Sequence, residues 1–545
     1  MIVTKLTRRL LPLLIVLSAL SSLGAAAARE AYKPDSLTIQ PGETTGSVYI
    51  TWYSPAAPAR PMVRLGGEIF PAEHSELTMP TELKADKYTD TGKHVNRARI
   101  DGLEPGTTYF YQTSDNGGLT WSETFFLTTP EDTSFVFAFT SDPQIKEDRS
   151  IDSKGWNPED GTNQTGWAKM TEVLQASGVT LIVSAGDQVE DQSWGKTSEY
   201  EAFFAPEAMA SIAYAPAVGN HDRHYMFADH FTLPNEMAAA EDGDEGTDET
   251  LEQVKTTFRG QNSGTSQSHG NYIAWMEGDK DSSNGVTVQD GIFDFAERRE
   301  METRGNYFYL CNNVLFVTLN TGAYPGGNDF ENADDPKVPS AGKDNSEAEA
   351  IVENFRRTLQ AAVEMYGGEY DWLIVTHHKS TQTVAKHTAD SDIENYVDAG
   401  FEKLMDDFSV DFVLAGHDHV YSRSYVLKDG LRAEEAKDDY TDPAGTIYIT
   451  GNCVSDMQYY TPFASVDKAN NEDYPKLADG ESGSQAYLRG NLPYGNQVWN
   501  QEYSPSYVLF TVEGLTVSAK AYNLDGDAVK PESKLIDSFS VTKTR

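Results

Sequence analysis

Five short clusters of polar residues recur along the chain, and each is built from potential metal ligands. "SDPQ" supplies Asp142 and Gln144, "GDQVED" supplies Asp187, Glu190 and Asp191, and "GNHD" supplies Asn220, His221 and Asp222. "VTHHK" adds His377 and His378, and "GHDH" adds His417 and His419. Taken singly, an Asp at a strand end is a turn former and a lone His is a satisfied structural residue. Five such clusters in succession exceed what turn chemistry needs. Oxygen and nitrogen donors in this mixture suit Zn, Mn or Fe in a hydrolytic centre. The chain has no G-x-S-x-G elbow, so the nucleophile such a centre implies is hydroxide rather than a side chain.

These residues need rigid elements behind them. Apolar runs precede the clusters: "SFVFAFTSD", "VTLIVSAGD", "YDWLIVTHH" and "VDFVLAGHDH". Continuous Val/Ile/Leu/Phe strands belong to sheets covered on both faces, with functional residues at their C-terminal ends. Helical spacing in "QTGWAKMTEVLQASG", ending at Gly178, and near 345–366 and 396–408 supplies the covering layers. The expected fold from 132 to 545 is α/β, completed by strands in "GTIYITGN", "PSYVLFTVEG", "TVSAKAYN" and "IDSFSVTKT", which are expected to finish its second sheet. Residues 30–128 read instead as a small all-β domain, with short alternating runs such as Ser47–Trp52 and Thr108–Gln112 between Gly and Pro turns. There, "LEPGTTYFYQT" followed by "WSETFFLTTP" resembles a fibronectin type III sandwich. Residues 235–300 are acidic and rich in small residues and read as an insertion. Its "DGDEGTDE" run lacks the spacing of an EF-hand loop.

The order of the five clusters resembles the calcineurin-like metallophosphoesterase superfamily, and with a β domain in front it resembles the purple acid phosphatase-related branch. The resemblance implies a four-layer αββα domain carrying two metal ions, of Zn, Mn or Fe. It assigns Asp142 and His419 to the first ion, Asn220 and His417 to the second, and Asp187 to both. The histidine of "VTHH" completes the second site. The family spacing from Val375 selects His378, with His377 as the alternative, because strand neighbours face opposite ways. His221 is implied to sit beside the phosphate and protonate the leaving oxygen, with Asp222 orienting it. Gln144 stands where the family has His or Gly. Glu190 stands where purple acid phosphatases have the tyrosine that gives their colour, so a colourless enzyme is expected, with Glu190 as a ligand or a partner of one. His224, Tyr421 and Arg423, just beyond the motifs, are candidate substrate-binding residues.

The function implied is hydrolysis of phosphate monoesters by hydroxide held between the two ions. The same core would serve a phosphodiesterase. A third reading is a binding protein with a degenerate centre, but Asp187, Asn220, His417 and His419 are all present.

The 545 residues carry 43 basic and 84 acidic side chains, a net charge of −41. Such a surface repels nucleic acid and anionic lipid, so the expected partner is a small phosphate ester brought in by local positive charge. Lys5, Arg8 and Arg9, the apolar run Leu10–Leu20 and the small residues up to Ala28 read as a signal peptide of residues 1–28. Export to a periplasmic or extracellular location, without a membrane anchor, is expected. Cys311 and Cys453 are the only cysteines, and their pairing is left open by the sequence.

Overall fold

The computed structural model describes residues 33–80, 88–146, 164–190, 197–222, 227, 230–237, 305–321, 346–387, 391–463, 495–527 and 530–544. The leader-like segment, His224, Asp191 and nearly all of the acidic insertion lie outside these residues.

Eight strands form the N-terminal part: β1 (Asp35–Pro41), β2 (Val48–Ser54), β3 (Met62–Leu65), β4 (Glu68–Pro71), β5 (Glu73–Pro80), β6 (Tyr88–Ile100), β7 (Thr108–Ser114) and β8 (Phe125–Thr128). One sheet has the order β4-β3-β7-β8, and β1, β2, β6 and β5 face it. Alternation buries every second side chain between them, including Ile50, Trp52, Val63, Tyr111 and Leu127.

Fifteen further strands follow: β9 (Ser134–Thr140), β10 (Leu181–Ser184), β11 (Ala213–Pro216), β12 (Tyr307–Cys311), β13 (Val314–Thr318), β14 (Trp372–Lys379), β15 (Phe412–Gly416), β16 (Tyr421–Lys428), β17 (Leu431–Arg432), β18 (Asp439–Thr441), β19 (Thr446–Thr450), β20 (Asn496–Asn500), β21 (Ser506–Glu513), β22 (Thr516–Asp527) and β23 (Lys530–Thr542). The first sheet runs β18-β23-β22-β21-β9-β10-β11, and the second runs β12-β13-β14-β15-β19-β16-β17 with β20 on β16. The closing strands therefore divide: β19 and β20 join the second sheet, whereas β21 to β23 extend the first, with β21 antiparallel to β9.

The sheets face each other across a core of Phe135, Phe137, Phe139, Phe316, Trp372, Phe412 and Phe510. On the outer face of the first sheet, α1 (Gln164–Ala176) and α2 (Thr197–Phe204) bury Trp167, Met170, Leu174, Tyr200 and Phe203. On the outer face of the second, α3 (Ser346–Tyr366), α4 (Ser391–Asp398) and α5 (Phe401–Asp407) bury Phe355, Leu359, Tyr396, Phe401 and Leu404. This is the four-layer αββα architecture. The helix expected over 396–408 is two helices, broken at Gly400, whose φ of 87° is left-handed and favours glycine.

The two parts are not separately closed. β1 pairs in parallel with β11, so the first sheet continues into the N-terminal sandwich as eleven strands. Tyr111 donates to the Ala210 carbonyl at 2.7 Å, Lys93 bridges Asp35 and Glu201, and Tyr53 shares a hydrogen bond with buried His230. Cys311 and Cys453 are free and buried. Burial pushes their thiols up to about 12 and about 11.

Candidate metal centre

The site forms where β9, β10, β14 and β15 end and their chains turn. Asp142 (φ 51°), Gln144 (40°), Asp187 (53°), His417 (73°) and His419 (42°) all take left-handed backbone conformations. A non-glycine residue held there costs roughly 1–3 kcal/mol and persists only where its surroundings impose it. The sharp reversals aim side chains from both sheets at one point. The adjoining glycines are required by closeness: a Cβ on Gly219 would overlap the Asp187 carboxylate, and one on Gly416 would overlap Ser141 and Asp142.

Two groups of side chains meet at Asp187. In one, His419 Nε2 lies 3.3 Å from Asp142 Oδ1, and the His417 amide donates to the Asp142 carboxylate at 3.1 Å. In the other, His378 Nε2 lies 2.8 Å from Asn220 Oδ1 and 3.3 Å from Asp187 Oδ2. Ligand atoms of Asp187, His378 and His417 all fall within 4.8 Å of one another. The Gln144 amide donates to Asp187 Oδ2 at 3.3 Å, so it stands against the central carboxylate.

The imidazoles are prepared in the same way. His378 Nδ1 faces the Ala185 carbonyl at 2.8 Å, and His419 Nδ1 faces the Gln458 carbonyl at 2.9 Å. A carbonyl can only accept, so Nδ1 carries the proton and each Nε2 is turned toward the carboxylates, the arrangement a metal-ligating His uses. Burial, with His387 and His378 adding to it, holds His417 well below the usual imidazole range, and it is therefore neutral. Burial raises the Asp187 carboxyl, but His378 and His221 outweigh it and hold it below the usual range. Burial lowers His378 and His419, but Asp187 and Asp142 outweigh it, raising His378 to about 9 and His419 above the usual imidazole range; a cation is thus favoured beside each carboxylate, and this donor set fits a divalent ion in that place.

Strand parity separates the adjacent histidines. Trp372 and Ile374 face the inter-sheet core and Leu373 and Val375 the helices. His378 follows the first set to Asp187. His377 follows the second and packs on Phe401 with ring centroids 4.9 Å apart. Burial there, with charge on His378 adding to it, pushes His377 down to about 3. His221 lies at the rim with its side chain 32% exposed, the most open of these groups. Its Nδ1 is held by the Glu190 carbonyl at 2.7 Å. The Glu190 carboxylate faces Lys146 at 3.4 Å and His221 at 3.8 Å.

Three expectations need correction. Asp222 does not orient His221. Its carboxylate accepts the backbone amides of Asp187, Gln188 and Gly219, each at 2.8 Å, and thereby ties the "GD" turn to the "GNHD" turn. Tyr421 and Arg423 do not reach the site. Both point from β16 into the space between the sheets, where Tyr421 donates to Asp537 at 2.7 Å and Arg423 grips the same carboxylate at 2.7 and 3.0 Å. Alternation along "YSRSYVLK" puts 421 and 423 on that inner face, away from the strand end.

Two residues were missed by sequence reasoning. His387 stacks its ring 4.0 Å from that of His417. It is held there by Asp418, the middle residue of "GHDH", which accepts the amides of Ala385 and His387 at 2.8 and 2.9 Å and the Thr383 hydroxyl at 2.5 Å. The only signal was a His nine residues beyond His378 in "VAKHTAD", with no strand before it.

Comparison with known proteins follows the same division of the chain. The family model described as calcineurin-like phosphoesterase matches residues 135–421, and the purple acid phosphatase N-terminal domain model matches residues 34–129. No curated protein sequence matches. Among solved structures, a purple acid phosphatase from yellow lupin (Lupinus luteus) seeds is similar at 14% identity and a TM-score of 0.55, over 94% of this chain and 74% of that one. PhoD is similar at 13% identity and a TM-score of 0.49, over 95% of this chain and 92% of that one.

Proposed function

Because the chain belongs to the calcineurin-like phosphoesterase family and is a metal-dependent phosphoric ester hydrolase, we propose that it hydrolyses phosphate monoesters at the Asp187-centred site. The observation that carries the reading is the convergence of Asp187, His378 and His417 within 4.8 Å, beside the Asp142–His419 pair. Asp142 and His419 would hold one ion, Asn220, His378 and His417 the other, and Asp187 both. Bound ions would supply Lewis acidity, lowering the proton affinity of water and offsetting charge on the phosphoryl oxygens.

The remaining work falls to the protein. His221 has Nδ1 held by the Glu190 carbonyl, so in its imidazolium form Nε2 would be the nitrogen that hands a proton to the leaving alkoxide. His387, placed against His417, is a second imidazole able to donate to a phosphoryl oxygen. Asp222 and Asp418 hold the turns that carry these groups, so that little reorganisation is needed as charge develops. With Glu190 in place of a tyrosine, no tyrosinate charge-transfer colour is expected. Residues 1–28 are proposed to direct export. Among the described residues, no helix is long and apolar enough to cross a membrane.

The test is release of p-nitrophenol from p-nitrophenyl phosphate and from bis-p-nitrophenyl phosphate by metal-stripped protein given Mn, Zn or Fe. Metal-dependent turnover favouring the monoester is expected. Preference for the diester would reassign the substrate class, and no turnover of either would overturn the proposal for simple aryl phosphates.

A further inference from the structure

Among the described residues nine large apolar side chains are exposed, and four of them belong to one small region of the N-terminal sandwich: Ile69 at 51%, Phe110 at 64%, Leu119 at 77% and Phe126 at 41%. Three project from the outer face of the β4-β3-β7-β8 sheet. Phe110 and Phe126 are direct cross-strand partners. Ile69 pairs with Arg64, which in turn pairs with Gln112. Arg64 lies over the Trp121 ring at 4.4 Å. Beside the two phenylalanines, the Thr108 and Thr128 hydroxyls face each other at 2.9 Å. The face therefore mixes flat apolar rings with hydroxyl, amide and guanidinium donors. None of these outward positions is a carboxylate, in a chain that has 84 of them.

An apolar patch of a few hundred Å² is the size of the largest on an ordinary protein, and such patches are often binding surfaces. Four strands about 4.8 Å apart and four to seven residues long cover roughly 300–400 Å². A stable protein interface needs about 800 Å² per partner, so the face is too small to hold a second copy by itself. A net charge of −41 disfavours anionic chains. What remains is an extended, uncharged ligand with one apolar face and a rim of hydroxyls. A pyranose ring has that form: its C–H face packs on an aromatic ring, whose face is electron-rich, while its hydroxyls reach neighbouring polar side chains.

We propose that the outer face of the β4-β3-β7-β8 sheet binds a neutral polysaccharide, with Phe110 and Phe126 as the stacking platform and the Thr108 and Thr128 hydroxyls and the Arg64 guanidinium, which Trp121 and Gln112 hold in place, as hydrogen-bonding flanks. The binding is independent of the metal centre and holds the enzyme on a glycan surface.

The test is depletion of the full chain from solution by insoluble cellulose, chitin or starch granules, at low salt and at 1 M NaCl, beside a Phe110→Ala/Phe126→Ala double variant and a Trp121→Ala variant. Retention on at least one polysaccharide, unchanged by salt and reduced at least tenfold in the double variant, is expected, with p-nitrophenyl phosphate turnover unaltered. Unaltered turnover also reports that the variants fold. No retention on any of the three, or equal retention by both variants, would overturn the proposal.

Discussion

At the scale of single residues, the site depends as much on acids that pin loops as on the groups that reach the centre. Asp222 and Asp418 occupy equivalent places, each the Asp of a short motif and each turned toward backbone amides. Asp222→Ala leaves three buried amides without an acceptor, at a cost of about 1–3 kcal/mol for each unsatisfied group. It is expected to reduce turnover and metal content together, measured by elemental analysis beside kinetics. The two adjacent histidines give a sharper contrast. His378→Ala is expected to lower kcat at least a hundredfold and to release metal. His377→Phe, on the helix side against Phe401, is expected to stay within about threefold of the parent, because a buried imidazole that is neutral there can be replaced by an apolar ring of similar shape. Equal losses from the two variants would refute the parity assignment. Asp187→Ala is expected to abolish turnover while circular dichroism stays unchanged.

At the scale of elements, the buried strands and the αββα layering were legible because long apolar runs and helical spacing leave few alternatives. The strand-end clusters were legible for the same reason, since polar residues at the close of a buried strand stand out. What was misread lay one step past those ends. Tyr421 and Arg423 follow "GHDH" closely, and nearness in sequence suggested the pocket. The alternation of β16 turns them into the inter-sheet core instead, onto Asp537. His387 was invisible because nothing periodic precedes it and its loop is fixed by bonds from distant residues, among them those to Asp418 and from Asn496 to the Thr383 carbonyl. The destination of β21 to β23 was also hidden, since pattern reveals a strand but not its neighbour. The Arg423–Asp537 pair yields a test at this scale. The Arg423 side chain is fully buried and that of Asp537 only 7% exposed. Breaking such a pair from one side costs about 3–5 kcal/mol, so Asp537→Ala is expected to lower the urea midpoint strongly while leaving KM unchanged. A raised KM with unchanged stability would return Arg423 to the pocket.

At the scale of the whole molecule, the sandwich and the catalytic layers behave as one unit because a single sheet runs through both. Their junction contains a titratable group. His230 stacks on Tyr200 with centroids 3.7 Å apart and bonds to Tyr53 of the sandwich. Burial, with Arg97 adding to it, pushes its pKa down from the ordinary 6.5 to about 3. Between those values the unfolded chain holds a proton that the folded one lacks, so stability rises with pH across that window and is lost as pH falls through it. The limiting slope is about 1.4 kcal/mol per pH unit. Thermal melts should therefore show the parent losing stability relative to His230→Phe between pH 6.5 and 4, and no divergence between pH 7 and 8. Parallel curves throughout would mean that His230 titrates normally. The overall charge of −41 works at the same scale. It opposes anionic substrates at long range, so added salt is expected to raise kcat/KM for a phosphate ester by screening that repulsion.

The position of β9 also bears on how the enzyme comes into being. β9, which leads to Asp142, lies between β10 and β21, and β21 is made of residues 506–513. During synthesis one edge of that strand stays open until more than three hundred further residues have left the ribosome. His417 and His419, and the Gln458 carbonyl that steadies His419, also arrive late. A nascent chain thus holds scattered ligands but no assembled centre, so metal capture and the onset of hydrolysis await the synthesis of β21.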